Sequence, residues 1–341
     1  MWFWSDSELE RLGDFLADRG LCGPVVTAKP IGDGHSNLTF LVSDGRSHVV
    51  VRRPPPPPVP AGAHDVLREA TLLTALSNTV VPTPAVLATA EAGELLDVPL
   101  FVMDFVAGAV ITESTPLPAD EINTRRRIGE SLIDTLAELH NVAWREVGLG
   151  EFAKPEGFNA RQLRRMRALV ETEGHLPAAF VALDAWLQSH LPPESATAIV
   201  HNDFRIGNTI VDTTAGAVAA VLDWELATIG DPLADLGYFL TSYPAPGEPL
   251  IPTSVMGTAL LETGYPGRGT LLGRYAARTD ADVSGVNWYA ALAMFKLAAL
   301  YEYSRRRFED GVGDPYYADP GLVAAFLLAG EKLVADGSAF A

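Results

Sequence analysis

Apolar and polar positions alternate over short runs in the first third of the chain, and this period of two predicts β-strands. Alternation predicts the strand that ends the glycine-rich segment 31–40, and further strands are predicted at residues 47–52, 80–87 and 99–103. Two segments instead show helical spacing, one that begins with a capping sequence at residues 5–8 and one at about residues 63–77. The first third therefore predicts a sheet of antiparallel strands accompanied by helices.

From about residue 108 the spacing of apolar positions becomes that of helices. One stripe contains Ile128, Leu132, Leu136 and Leu139. It ends near His140, which we interpret as a core or capping histidine. Further helices are predicted at about residues 160–172, 178–190, 253–263, 269–278, 284–308 and 320–336. They are interrupted by short β-prone runs at residues 198–200, 209–211 and 217–222.

The change of pattern indicates an α+β chain with two lobes. We expect an N-terminal lobe at residues 1–102, a hinge at 103–108 and a larger, mainly helical C-terminal lobe at 109–341. The chain has 341 residues, of which 48% are hydrophobic, and this is enough for a large core. We find no internal repeat.

The net charge and the cysteine content restrict which partners and which kinds of site the protein can have. The net charge of −18 disfavours nucleic acid and anionic membranes as partners; it suits cationic substrates, although solubility alone explains it as well. Cys22 is the only cysteine, which excludes an intrachain disulfide and a cysteine-rich zinc site. The apolar residues 1–4 are too few for a signal sequence, and no run reaches the length of a membrane span. We expect a cytoplasmic protein, and its oligomeric state stays open.

Candidate catalytic and metal-binding residues lie close together in residues 201–208, whose sequence is His-Asn-Asp-Phe-Arg-Ile-Gly-Asn. This segment is predicted to be a loop between two strands. Phosphoryl transfer requires a protein mainly to orient the attacking hydroxyl and to hold Mg²⁺ against the phosphates. In such a loop Asp203 can accept the hydroxyl proton, while Asn208 and the later Asp223 can bind the metal. The alternative is structural: Asp203 and Asn208 form a turn, and His201 is a core histidine.

A second group of candidates lies in the glycine-rich segment and the strand that follows it. Glycines let backbone N–H groups approach phosphate, although the segment also suits an ordinary hairpin turn. The candidate nucleotide-binding residues of this segment are Gly32, Gly34, His35, Ser36 and Asn37. Arg52 ends the next strand and can reach the α- and β-phosphates.

Glu69 lies in the apolar stripe of the helix predicted at residues 63–77. An acid is costly to bury without a partner, so we predict an ion pair between Arg52 and Glu69. In the alternative, Glu69 reaches solvent, and Arg53 or Lys29 is the cation that binds phosphate.

The order of these motifs resembles that of the aminoglycoside phosphotransferase family, whose kinase-like fold is shared with choline and homoserine kinases. The resemblance covers about residues 30–240, with residues 103–108 as the linker. Residues 34–39, 51–55, 222–225 and 230–236 look like the branch related to the kinase domain fused to some acyl-CoA dehydrogenases.

The resemblance implies a bilobal, protein-kinase-like fold and ATP-dependent phosphorylation of a hydroxyl on a small molecule, with GTP as an open alternative. It implies Asp203 as the catalytic base, assisted by Arg52 and Glu69. It implies Asn208 and Asp223 as the Mg²⁺ ligands, and the backbone near Asp104 and Val106 as the adenine-binding hinge. The nearer branch suggests a hydroxyacyl-CoA or another lipid-like acceptor. The broader family suggests an aminoglycoside, a macrolide, choline or a sugar.

Two departures from the family pattern bear on the function. Arg52 stands where many relatives carry lysine, and we interpret it as a variant of the nearer branch. Asp223-Trp224-Glu225 replaces Asp-Phe-Gly, which indicates a fixed strand end with Glu225 close to the metal. Only seven residues separate Glu225 from Leu233, so no activation segment fits and a protein kinase is disfavoured. A nucleotide-binding regulator without transfer activity is the remaining alternative.

The residues that bind the acceptor are the ones that the sequence identifies least well. From position alone, the candidates are Asn287, Trp288, Tyr289, Phe295, Tyr301 and Glu302. Their helical spacing equally favours core packing. Downstream of the catalytic loop, Asp231 is expected to cap a helix beginning near residue 230. Asp235 is expected to hold the loop in place, with a minor role in the active site as the alternative.

Overall fold

The protein, represented by a computed structural model, is described at residues 4–32, 37–55, 64–116, 118–336 and 340. It forms two compact units. The first consists of Met1–Ala107 and Ala219–Glu225, and the second of Gly108–Val218 and Leu226–Ala341. The chain thus contributes to the first unit twice, and its second passage brings Asp223 into that unit.

A five-stranded antiparallel sheet is the framework of the first unit. Its strands are β1 (Thr27–Pro30), β2 (Leu38–Ser43), β3 (His48–Arg53), β4 (Val86–Ala90) and β5 (Leu100–Asp104). They lie in the order β1-β2-β3-β5-β4, so that β3 is central. In this register Arg52 pairs with Thr39 of β2 and with Phe101 of β5. The continuous apolar run of β3 is explained by burial of both its faces.

Two helices accompany the sheet. The first, α1 (Asp6–Ala17), starts at a capping box in which Ser5 and Glu8 bind each other's backbone N–H groups, as predicted. It shares a core cluster with Val49 and Val51 of β3. The second, α2 (Val66–Leu76), packs on β4 and β5. Because side chains alternate along a strand, Val49 and Val51 share a face with Arg53, while Arg52 points to the α2 face.

The predicted strand at residues 80–87 is wrong over most of its length, since β4 begins only at Val86. Pro82 and Pro84 explain the difference, because a proline has no N–H to donate to a ladder. The strand β1 was not predicted. Its four residues, which include Lys29 and Pro30, are mostly exposed at the edge of the sheet and carry no alternation.

The second unit is mainly helical, as predicted. Its helices are α3 (Ile122–His140), α4 (Phe158–Val170), α5 (Ala178–Ser189), α6 (Leu233–Ser242), α7 (Pro252–Val255), α8 (Arg268–Thr279), α9 (Val286–Glu309) and α10 (Pro320–Asp336). The helix α9 packs on α4, α5, α6 and α10 and is the core of the unit. A Cβ at Gly237 of α6 would lie 2.6 Å from the backbone nitrogen of Ala290, so this glycine permits the close contact of α6 with α9.

The helix predicted at residues 253–263 is wrong as a single element. The structure has the short α7, then Gly257, then a 3-10 turn at Thr258–Leu261. Glycine weakens helices, and an apolar pattern over such short pieces does not reveal the break. Among the described residues, none of the helices combines the length and the apolar character needed to cross a bilayer.

Short strands hold the loop that carries the candidate chemistry. The strand β6 (Ala198–Val200) precedes the loop and pairs antiparallel with β9 (Thr228–Gly230). The strand β7 (Thr209–Asp212) follows the loop and pairs with β8 (Ala217–Val221). Residues 201–208 are therefore fixed at both ends by β-structure, as the sequence predicted.

Candidate active site

In the first unit, Arg52 is the centre of a cluster of charged side chains. The predicted ion pair is present, with Nε of Arg52 2.9 Å from Oε2 of Glu69. Nη2 of Arg52 lies 2.6 Å from Oδ1 of Asp223 and 3.5 Å from Oε2 of Glu225, and Nη1 donates to Oγ1 of Thr39 at 3.1 Å. One guanidinium thus binds three carboxylates, which leaves the cluster with an excess of negative charge.

Burial determines how this cluster titrates. The Glu69 side chain is 3% exposed. Its burial raises its pKa to about 7, and the negative charges of Asp223 and Glu225 act in the same direction, while Arg52 offsets part of the effect. Burial disfavours the charged form of Arg52, but its carboxylate neighbours outweigh this and raise the pKa of the guanidinium. The cluster therefore has a high affinity for positive charge.

Asp223 is the most accessible carboxylate of the cluster, with 38% of its side chain exposed. It follows β8 and has a φ of 63°, in the left-handed region that non-glycine residues rarely adopt. A 3-10 turn at Trp224–Leu226 comes directly after it, and Nε1 of Trp224 donates to the carbonyl oxygen of Val221. An exposed carboxylate on such a braced backbone, next to unbalanced negative charge, suits a divalent cation.

The glycine-rich segment is only partly described. Gly32 has a φ of 78°, which glycine adopts without strain. Gly34, His35 and Ser36 lie outside the described residues. Asn37 is buried, and its Nδ2 donates to Oε2 of Glu225 at 2.9 Å. Its side chain therefore holds Glu225 in the Arg52 cluster.

The predicted hinge residues follow the end of β5. Oδ1 of Asp104 accepts from the N–H of Ala85 at 2.6 Å, and the N–H of Asp104 donates to the carbonyl oxygen of Ala85 at 3.0 Å. The Asp104 side chain thus ties β5 to the segment before β4. Val106 is half-buried beyond the strand end.

The alternative phosphate-binding cations lie elsewhere in the first unit. The guanidinium carbon of Arg53 is 4.9 Å from the ring centroid of Trp4 and 5.5 Å from that of Phe40, on the α1 face of the sheet. Lys29 is exposed on the edge strand β1. Arg53 lies on the opposite face from Glu69. Lys29 is on the Arg52 face by register, but it lies on the edge strand, two strands away from β3, so the structure favours Arg52 among the three.

In the second unit, Asp235 organises the catalytic loop. It is fully buried on α6 and accepts from the N–H groups of His201 at 2.5 Å and Asn202 at 2.6 Å. Nε2 of His140 is 3.3 Å from the same carboxylate, and Nδ1 of His140 is 2.6 Å from the hydroxyl of Tyr275. Burial opposes ionisation of Asp235, but the bonds and charges of His140 and His201 outweigh it and lower its pKa. The supporting role predicted for Asp235 is therefore present.

Asp203 is surrounded by donors. Its Oδ1 accepts from the hydroxyl of Tyr238 and lies 3.6 Å from Nε of Arg205. Its Oδ2 accepts from Nδ2 of Asn208 at 2.7 Å, and the same nitrogen donates to the carbonyl oxygen of Asp203 at 2.9 Å. Because the nitrogen of Asn208 binds Asp203, the amide oxygen Oδ1 is the atom that Asn208 can offer to a metal ion.

His201 has a supporting role in the loop. Its side chain is fully buried, and Nδ1 accepts from the N–H of Asp203 at 3.2 Å. Its ring packs edge-on against Phe204. The interpretation of His201 as a core histidine is therefore correct, and the loop backbone is held from both sides, by His201 and by Asp235.

Tyr238 is the residue of this cluster that the sequence analysis missed. It lies three residues after Asp235 on α6, so the two share a helix face, and that spacing was the available signal.

Asp231, expected to cap α6, accepts from the N–H of Leu233 at 3.1 Å and from the hydroxyl of Tyr289 at 2.6 Å.

Most of the predicted acceptor candidates on α9 have structural partners. Phe295 packs against Phe180 in the core, and Nε1 of Trp288 donates to the carbonyl oxygen of Leu187. Glu302 forms ion pairs with Arg305 and Arg306. Tyr301 packs on Tyr317 and Phe326, and Asn287 is half-buried. Tyr289 also lines a cavity, so position alone was a weak guide.

Within the described ranges, no group of three histidine, cysteine, aspartate or glutamate side chains is arranged as a metal site. Magnesium commonly uses one or two protein carboxylates and completes its shell with phosphate and water. The donors available in each unit, Asp223 in the first and Oδ1 of Asn208 in the second, are of the oxygen type that Mg²⁺ requires.

Sequence comparison gives the family. The model of the phosphotransferase enzyme family (APH) matches residues 27–268. The chain belongs to this family. The predicted kinase-like α+β fold is thereby confirmed, and the protein is a phosphotransferase with a hydroxyl group as acceptor.

Curated relatives of this phosphotransferase are larger proteins. Acyl-CoA dehydrogenase family member 10 of Mus musculus is 30% identical over 273 residues, which are 79% of this chain and 25% of the relative. Acyl-CoA dehydrogenase family member 11 of Rattus norvegicus is 31% identical over 289 residues, 82% of this chain and 37% of the relative. The chain therefore spans about a quarter to somewhat more than a third of their length.

Solved structures confirm the fold. The crystal structure of a protein from Ralstonia eutropha JMP134, provisionally named an aminoglycoside phosphotransferase, superposes with a TM-score of 0.78 at 28% identity and covers 95% of this chain and 98% of its own. A microcompartment-associated aminopropanol kinase has a TM-score of 0.59 at 17% identity over 96% of this chain and 98% of its own. At that identity, the second likeness supports the fold alone.

Proposed function

We propose that this phosphotransferase is an ATP-dependent kinase that transfers the γ-phosphoryl group to a hydroxyl of a small molecule, with Asp203 as the catalytic base. The observation that supports this most directly is the arrangement around Asp203. Its carboxylate is held by Tyr238 and Asn208 on a loop that Asp235 fixes through two backbone bonds. A base held in this way can accept a hydroxyl proton without reorganisation. GTP can replace ATP in the same scheme.

We further propose that Asn208 and Asp223 hold Mg²⁺. Asn208 has an amide oxygen to offer, and Asp223 belongs to a cluster in which negative charge exceeds positive charge. A bound Mg²⁺ would neutralise charge on the phosphate groups during transfer. This assignment uses one carboxylate and one amide, which leaves the remaining positions of an octahedral shell to phosphate and water.

Nucleotide binding is proposed for the N-terminal part of the chain, at residues 1–102 and the hinge at 103–108. The residues involved are Gly32, Gly34, His35, Ser36 and Asn37 of the glycine-rich segment, Arg52 with Glu69, and the backbone at Asp104 and Val106. Arg52 is the cation proposed for the phosphates. Its ion pair with Glu69 fixes the direction of the guanidinium, because Glu69 is anchored in the first turn of α2.

The test is to measure the turnover of the Asp203→Asn variant, because this substitution preserves the shape of the side chain. With a panel of hydroxylated metabolites and ATP, the wild-type protein should form ADP and a phosphorylated product. The variant should bind nucleotide almost normally while turnover falls about 10²-fold or more, the scale of a lost general base. Asp212→Asn, an exposed carboxylate in the hairpin after the loop, is the control. Near wild-type turnover of Asp203→Asn would remove Asp203 from this role.

A further inference from the structure

A small cavity lies in the second unit between α4, α6, α9 and the catalytic loop. Its volume of about 20 Å³ is enough for about one water-sized group. Phe158, Leu292 and Ala293 give it an apolar wall, and Asn202, Tyr238 and Lys296 contribute polar atoms. The end of a ligand, rather than a whole ligand, fits such a space.

The cavity is connected to the candidate base. The ring of Tyr238 lines it, and the hydroxyl of the same residue donates to Asp203. Asn202, which directly precedes Asp203, also lines it. A group that enters the cavity is therefore one side chain away from the carboxylate that would accept the hydroxyl proton.

Lys296 brings a positive charge to this apolar wall. Its Nζ lies 3.4 Å from both the carbonyl oxygen and Oδ1 of Asn202, and both distances are long for hydrogen bonds. Burial lowers its pKa, although Asp235 and Asp203 favour the charged form. Within the described part of the chain both of its hydrogen-bond contacts are long, so the ammonium group gains from a closer anionic partner.

The acids near Lys296 are engaged with other donors. Asp203 accepts from Tyr238 and Asn208, and Asp235 accepts from the N–H groups of His201 and Asn202. Among the described residues that line the cavity there is no aspartate or glutamate. Arg165 adds a further positive charge close enough to oppose protonation of Lys296. The charged side chain in the described cavity lining is therefore a cation, Lys296.

We propose that this cavity is an acceptor subsite and that Lys296 selects for acceptors that carry an anionic oxygen group, a carboxylate or a phosphate, beside the hydroxyl. The proposal rests on the proposed kinase function and specifies its substrate class. The buried ammonium repels a cationic acceptor and attracts an anionic one, and a volume of about one water admits a single oxygen of the charged group. Hydroxy acids and hydroxylated phosphate esters are therefore favoured over amino alcohols and polycationic sugars.

Three-carbon compounds with one shared skeleton provide the test. Glycerate and glycerol phosphate carry the two anionic groups, glycerol is neutral, and aminopropanediol is cationic. Their binding is measured by calorimetry to Asp203→Asn, which removes turnover from the readout. Either anion or both should bind about 10-fold or more tightly than glycerol, the scale of a hydrogen bond to a charged group, and aminopropanediol most weakly. Comparison of the two anions shows which anionic group the subsite takes.

The same measurements on Lys296 variants decide the role of the residue. Lys296→Met should abolish the preference for anions, and Lys296→Arg should retain part of it. Gln162→Glu adds a carboxylate to the cavity wall while keeping Lys296, so it should also weaken anion binding. This variant provides the test if Lys296→Met does not fold. The proposal would be overturned if the Asp203→Asn protein bound glycerate and glycerol equally, or bound neither anion. It would also be overturned if the folded Lys296 and Gln162 variants kept the preference for anions unchanged. Lys296-dependent anion binding without phosphoryl transfer by the wild-type protein would instead overturn the kinase function.

Discussion

The Arg52 cluster of the first unit and the Asp203 cluster of the second differ in how their charges are balanced. In the first, a single guanidinium is shared by Glu69, Asp223 and Glu225. In the second, Asp203 and Asp235 are surrounded by N–H and O–H donors from the backbone, an amide and a phenol. The first cluster retains an excess of negative charge, while the acids of the second are individually satisfied.

Under the proposed function, this difference gives the two clusters different roles. A satisfied cluster keeps its geometry without a ligand, which suits a base that must be oriented before substrate arrives. A cluster with excess negative charge is most stable after it gains a cation, which suits a metal-binding region. The comparison can be tested by removing one group at a time from each cluster.

The largest effect is expected for Asp235→Ala in the second unit. The change leaves the buried N–H group of His201 and the partly buried N–H group of Asn202 without their acceptor, and it removes the partner of His140. We expect a loss of about 3–5 kcal/mol in the free energy of unfolding, measured by urea denaturation. Asp212→Ala, at the exposed end of β7, removes an acceptor from two exposed N–H groups that water can satisfy, so it should cost much less. A loss equal to that of the control would show that the loop does not depend on Asp235.

The next effect concerns metal binding by the first unit. Asp223→Ala should weaken binding of Mg-ATP by about 10–100-fold, or roughly 1.4–2.7 kcal/mol, and should change the affinity for metal-free ATP much less. Calorimetry with and without Mg²⁺ measures both, and the exposed Asp97→Ala serves as control. If the metal improves ATP binding equally in the wild type and the variant, Asp223 is not a ligand.

The ion pair within the Arg52 cluster is tested by a double-mutant cycle. Arg52→Met and Glu69→Gln, singly and combined, should show a coupling energy of roughly 0.5–3 kcal/mol, because the two side chains are in direct contact. Their separation of 2.9 Å and the burial of Glu69 support this range. The cycle is read through unfolding and through affinity for ATP. Strict additivity in both measurements would contradict the pair.

The last effect is a pH dependence that distinguishes the two clusters. The pKa of Glu69 is raised to about 7 from 4.5, so the folded state binds more protons than the unfolded state between these values. The contribution of Glu69 to stability is therefore fully present below pH 4.5 and is lost as pH rises towards 7, by up to about 1.4 kcal/mol per pH unit.

The measurement is the difference in unfolding free energy between the wild type and Glu69→Gln, in EDTA, across this range. Asp235 should behave in the opposite way, because its pKa is lowered in the fold and its contribution is lost on acidification. A difference between wild type and Glu69→Gln that does not change with pH would show that Arg52 fully compensates the burial of Glu69.

The sequence by itself determined the features that depend on local periodicity and local chemistry. The stripe ending at His140 predicted α3, the cap at residues 5–8 predicted α1, and the β-prone run at residues 47–52 predicted β3. The loop at residues 201–208 was identifiable because residue types and spacing alone indicate its chemistry. The Arg52–Glu69 pair could be predicted because a buried acid requires a partner.

Only the tertiary structure decided which distant residues share these clusters. No local pattern shows that Ala219–Glu225 joins the first unit, that Asn37 binds Glu225, or that Tyr238 binds Asp203. The position of Lys296 at a cavity beside the catalytic loop is of the same kind. These contacts join residues far apart in the chain, and they depend on how helices and strands pack, which a period of 2 or 3.6 residues does not encode.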